Sequence, residues 1–82
     1  MISIIIPTKN NEKTIGECLE SLIQLDYPQT EIILIDDSND ETLKIAKKYP
    51  VKIISHSGSP GVKRNIGIKE AKGEIVAFVD SD

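Results

Sequence analysis

The chain has 82 residues, 39% of them apolar and 28% charged, with a net charge of −3 and a single cysteine. That length makes one small domain with a limited core, and the composition is that of an ordinary globular protein, neither disordered nor membrane-spanning. The acidic balance argues against bulk nucleic-acid binding, which needs a basic face, and the lone Cys18 excludes an internal disulfide.

Met1 is followed at once by "ISIIIP", without the basic stretch and small-residue cleavage site of a signal peptide, so residence in the cytoplasm or on a cytoplasmic face is expected. The run at 2–6 is short and rich in β-branched residues, which predicts a first strand closed by Pro7-Thr8-Lys9-Asn10. Ile15, Cys18, Leu19, Leu22 and Ile23 then recur at helical spacing, with Asn10 or Asn11 as the expected cap. "EIILI" at 31–35 predicts a second strand ending in Asp36 and Asp37. A second helix follows, for which Ser38 and Glu41 suit a capping box, with Lys44, Lys47 and Lys48 toward its end before Tyr49-Pro50. "VKIIS" at 51–55 predicts a third strand, and its Lys52 suits a sheet edge. "SPG" opens a third helix with Ser59 as cap and Pro60 at the first helical position, closing at Gly73. "EIVAFV" at 74–79 predicts a fourth strand, after which come Asp80, Ser81 and Asp82.

Strands alternating with helices predict an α/β fold: a Rossmann-like parallel sheet with right-handed crossovers and helices on both faces. The order 3-2-1-4 satisfies the pattern of apolar faces. It also places a topological switch point between the first and fourth strands, where open α/β sheets bind ligands outside the strands' carboxyl ends.

On that rim Asp36, Asp37, Asp80 and Asp82 are expected to converge. Like charges so close are costly unless one is protonated or a cation joins them. Hard oxygen ligands suit Mg²⁺ or Mn²⁺, and the sequence has no Cys/His cluster for zinc. Lys63 and Arg64, at the start of the third helix, read either as an anion site for a diphosphate or as a solvated helix face. Asp37 is placed to accept the N–H of a base such as uracil. Cys18 reads as an inert core residue and His56 as a surface residue.

Taken together, "ISIIIPTKNNEKTIGECLESL", "EIILIDDSNDET" and "GVKRNIGIKEAKGEIVAFVDSD" resemble, in order and spacing, the start of a family 2 glycosyltransferase with the GT-A fold. The "DSD" at 80–82 looks like that family's DxD motif. The resemblance implies that Asp80 contacts the nucleotide and the cation, that Asp82 binds the cation, and that Asp37 holds the base while Asp36 supports the loop. It further implies that Pro7 and Thr8 line the nucleotide pocket and that Arg64 approaches the nucleotide. The implied donor is a nucleotide-diphosphate sugar, a UDP-sugar in the first instance, with Mn²⁺ or Mg²⁺ as cofactor. Three positions depart from the pattern: Lys9 stands where an aromatic is frequent, Ser38 where Gly is common, and Lys63 where Ala is usual.

In this family the acceptor-binding half and the catalytic base follow the DxD, so residues 1–82 read as a donor-nucleotide half with no catalytic base and no transfer activity of its own. Two other readings stand beside this one. A receiver-like phosphoacceptor domain would use the acidic pair after 31–35 and the aspartate after 74–79, but it leaves the first strand and helix without a role. A non-catalytic nucleotide-binding or oligomerisation module is the other. Both faces of 74–79 are apolar and the order 3-2-1-4 leaves this strand at the edge, so a two-fold dimer joined there is expected.

Overall fold

A computed structural model describes residues 1–25 and 29–81. The elements are β1 (Ile2–Thr8), α1 (Ile15–Ile23), β2 (Thr30–Asp36), α2 (Thr42–Ala46), β3 (Lys52–Ser55), α3 (Pro60–Glu70) and β4 (Ile75–Phe78). The sheet has the expected order β3-β2-β1-β4, with every pairing parallel.

Alternation along the strands builds two cores, one per face. Ile4, Ile6, Ile32 and Leu34 point to one side, where Ile15 and Leu19 of α1 and Ala46 of α2 cover them. Ile5, Ile33 and Ile35 point to the other, where Ile66 of α3 and Ala71 just beyond it pack. Helix α3 lies very close to β1: a Cβ on Gly67 would stand 2.4 Å from the Ile5 side chain, so only glycine permits this approach. The central strands are buried on both faces and the flanking ones are not. Ile75 and Phe78 of β4 are exposed, and Cys18 packs partly buried against the first core, where burial raises its thiol pKa.

Three local expectations are corrected. Neither Asn10 nor Asn11 caps α1 with its side chain; Thr14 is the cap residue without a side-chain bond, because the Asn11 side chain turns back to accept from the Lys9 N–H at 2.9 Å. The Ser38/Glu41 capping box does not form, because the Ser38 hydroxyl is held by Asp36 at 2.5 Å, and Asp40 accepts instead from the Thr42 N–H and hydroxyl. Helix α3 starts as expected, with Ser59 Oγ accepting from the Val62 N–H at 3.2 Å, but it ends at Glu70 rather than Gly73. Gly73 serves another purpose. Its N–H reaches Ser3 Oγ at 2.9 Å, and a Cβ there would fall 2.6 Å from the Met1 carbonyl oxygen.

Candidate functional site

The carboxyl ends of β1 and β2 finish side by side, with Thr8 paired to Asp36 in the register. Both are buried. The Thr8 hydroxyl donates to Asp36 Oδ1 at 2.7 Å, and Ser38 donates to the same carboxylate through its hydroxyl at 2.5 Å and its N–H at 3.2 Å. Three donors satisfy this carboxylate, as burial requires. Asn10, in the left-handed region at φ 54°, clasps the neighbouring loop: its N–H reaches Ser38 Oγ and its side-chain oxygen accepts from the Asn39 N–H, both at 2.8 Å. The Asp36 side chain is therefore beneath the rim, holding two loops together.

Asp37 has a different fate. Its carboxylate pairs with Lys63, whose ammonium also donates to the Thr8 carbonyl oxygen at 2.8 Å. The Lys63 hydrogen bond holds the Asp37 carboxyl below its usual range, and the charges of Lys63 and Lys9 add to this. The Lys63 side chain is only 3% exposed, which overturns the reading of that residue as part of a solvated face. Arg64, the next residue, is half-exposed. Its Nη2 lies 3.4 Å from Asp80 Oδ1 and its Cζ 6.0 Å from the centre of the Phe78 ring, while its buried Nε has no hydrogen-bond partner among the described residues.

Between these groups is a cavity of about 330 Å³, whose lining includes Pro7, Thr8, Lys63, Arg64, Asp80 and Ser81. The volume falls at the lower end of the small-molecule range. It opens at the switch point between β1 and β4. A larger groove of about 670 Å³ lies on the other side of Asp80, along Glu17, Cys18, Glu20 and Leu22 of α1, and its lining contains no lysine or arginine. His56 sits exposed in its loop, as expected.

Pro7, Thr8, Arg64 and Asp80 thus share one cavity, Asp37 abuts it through Lys63, and Asp36 lies below it. The expected convergence of carboxylates does not hold for the three that are described. Each has its own donors, and among the described residues no group of three or more His, Cys, Asp or Glu is arranged to hold a metal ion. Asp82 lies outside the described residues. Asp80 remains suited to a hard cation: its side chain is 74% exposed on the cavity's rim, and Mg²⁺ typically needs one or two carboxylates plus substrate phosphates. Sequence reasoning missed the burial of Lys63. Its signal was Gly67, four residues on, which brings that face of α3 against β1.

The sequence model of Glycosyl transferase family 2 matches residues 3–82. The chain belongs to that family. It is 47% identical to the poly(ribitol-phosphate) beta-N-acetylglucosaminyltransferase TarS of Staphylococcus aureus over 98% of its own length and 16% of TarS. The S. aureus TarS crystal structure superposes with a TM-score of 0.90 at 44% identity, covering 99% of this chain and 16% of that one. Glucosyl-3-phosphoglycerate synthase of Mycobacterium tuberculosis, solved with Mn²⁺, UDP and glucosyl-3-phosphoglycerate, superposes at 0.86 with 28% identity over 100% of this chain and 33% of that one. The mannosyltransferase PcManGT of Pyrobaculum calidifontis, in complex with GDP-Man and Mn²⁺, gives 0.88 with 26% identity over 99% and 27%. The chain spans about a sixth of the length of TarS, and its sheet has the fold of GT-A glycosyltransferases. The family match includes β1 and α1, the two elements a receiver domain leaves unexplained, and sets that reading aside.

Proposed function

We propose that this chain binds the nucleoside diphosphate of a sugar-nucleotide donor, a UDP-sugar, as the donor-binding part of a metal-dependent glycosyltransferase. The observation that carries the reading is the cavity at the switch point, which brings Pro7, Thr8, Arg64 and Asp80 together from three segments of the chain. Its lining also holds Arg64 and Lys9, cationic groups suited to a diphosphate, and the described lining of the larger groove contains no lysine or arginine. Asp37 accepts from the base, Asp36 fixes the loop that carries Asp37, and Arg64 turns from Asp80 to the phosphates. Asp80 and Asp82 would hold Mn²⁺ or Mg²⁺, which would supply positive charge against the donor's diphosphate. Complexes of family-like structures with UDP and Mn²⁺ and with GDP-Man and Mn²⁺ support the ligand class.

Calorimetric titration of UDP with and without Mn²⁺ tests this. The expected affinity is weak, on the order of 0.1–1 mM with Mn²⁺, or about 4–5.5 kcal/mol. Asp82→Ala should remove the Mn²⁺ dependence. UDP binding that is equally strong in EDTA would show the metal role to be wrong.

A further inference from the structure

Lys63 stands where the family pattern usually has Ala, and nothing in the donor reading assigns it a task. Its position follows from close packing. Gly67 lets α3 touch β1 at Ile5, and one helical turn earlier the same face carries Lys63 over the end of β1. A lysine there has two choices: snorkel to water or find acceptors. It finds two, the carbonyl oxygen of Thr8 at 2.8 Å and the carboxylate of Asp37. The Asp37 N–H also donates to that Thr8 carbonyl, at 3.4 Å, so β1, Asp37 and α3 are tied at one atom.

We propose that Lys63 is a positioning residue of the donor pocket, which holds one carboxylate oxygen of Asp37 so that the other faces the nucleobase. The proposal rests on the donor reading above. An ammonium this buried and already holding two acceptors has little capacity left for phosphate, which separates its role from that of Arg64. The side chain orders the base end of the site, and its loss leaves Asp37 free to rotate into solvent. A flexible acceptor binds more weakly because its ordering must then occur on binding.

The test compares UDP with uridine, which has no phosphate, on the wild type, Lys63→Met, Asp37→Ala and the double variant, by amide chemical-shift titration with diamagnetic Mg²⁺ present for UDP. Lys63→Met is expected to weaken UDP and uridine alike by on the order of tenfold, and to have no further effect once Asp37 is Ala. Carbon-detected titration of Asp37 should show its carboxyl moving up toward the ordinary range in Lys63→Met. A loss seen with UDP but not uridine would make Lys63 a phosphate ligand and overturn the proposal, as would unchanged affinity for both. If Lys63→Met does not fold, Lys63→Arg carries the test: it keeps the charge but not the geometry, and a two- to fivefold loss for both ligands is expected. Failure of the wild type to bind either ligand would overturn the donor reading itself; normal wild-type binding with an unaffected Lys63→Met overturns only the inference.

Discussion

At the amino-terminal rim of the sheet, Ser3 donates to Glu31 at 2.5 Å and accepts from the Gly73 N–H at 2.9 Å, while the Lys72 N–H donates to the same Glu31 oxygen at 2.7 Å. At the carboxyl rim, Thr8, Asp36 and Ser38 form a comparable closed set, but beside it Arg64 and Asp80 line a cavity that Asp37 abuts through Lys63, and these groups keep capacity in reserve. Both rims place a buried hydroxyl of β1 against a carboxylate of β2. At the first, the bonds close the return of the chain from α3 into β4. At the second, one layer of polar groups fixes the loops and a second layer is left to meet a ligand. Polar residues at a strand end therefore do not mark a site by themselves; unspent hydrogen-bonding capacity next to a void does.

The largest expected effect comes from breaking the closed rim. In Gly73→Val a Cβ would lie 2.6 Å from the Met1 carbonyl oxygen and 2.9 Å from the Ser3 nitrogen, both backbone atoms that move only with β1. A loss of about 1–3 kcal/mol is expected, read from the urea midpoint at constant slope. UDP affinity of the folded fraction should not change. If affinity fell as well, the two rims would be coupled through β1 and the contrast drawn above would fail.

A smaller loss is expected within the carboxyl rim, where Thr8→Val removes one of the donors to the buried Asp36 and leaves an isosteric methyl. The cost is about 1–2 kcal/mol, and Thr8→Ser should recover most of it. Unlike Gly73→Val, this change should also weaken UDP, because Thr8 lines the cavity. Equal effects of Thr8→Val and Thr8→Ser on the urea midpoint would assign the role to packing and remove the hydroxyl from the account.

Much of this was legible in the sequence. The interior places of β1 and β2 and the edge place of β3 agreed with their apolar faces and Lys52, although β4 is apolar on both faces and still lies at an edge, and the start of α3 followed from Ser59-Pro60, a signal that acts locally. Topology placed the ends of β1, β2 and β4 on one rim, and the family resemblance implied that Pro7, Thr8, Arg64 and Asp80 meet there; the cavity brings these four together. What failed were the side-chain partners. Ser38 has the spacing of a capping box with Glu41, yet Asp36, two residues back, offers a stronger acceptor and takes its hydroxyl. The aspartates look alike in sequence, but Asp36 points into the sheet's rim and Asp37 meets Lys63, a contact across 26 residues that depends on Gly67. Long-range pairing of this kind is fixed by packing distance, which periodicity does not encode.

The smallest effect sharpens the comparison through pH. Glu31 is held below the usual glutamate range, first by the Ser3 hydroxyl and then by the Lys72 N–H; Asp37 is held below the aspartate range by Lys63. A carboxyl with a depressed folded-state pKa contributes stability that is complete above its unfolded value, about 4 for these two groups, and is lost as pH falls through the folded value. Each rim therefore loses one contribution on acidification below about pH 4. Glu31→Gln should flatten the melting-temperature profile below that pH, with a cost at pH 7 of about 0.5 kcal/mol, since this carboxylate is part-exposed and its net hydrogen-bond worth is modest. Asp37→Asn should flatten the same window from the other rim. The two differ in what a ligand does: saturating UDP and Mn²⁺ should raise the melting temperature of Glu31→Gln as much as that of the wild type, and raise that of Asp37→Asn less. Equal ligand-induced shifts in both variants would mean that Asp37, like Glu31, is wholly spent on the fold, and the contrast between the rims would then rest on Arg64 and Asp80 alone.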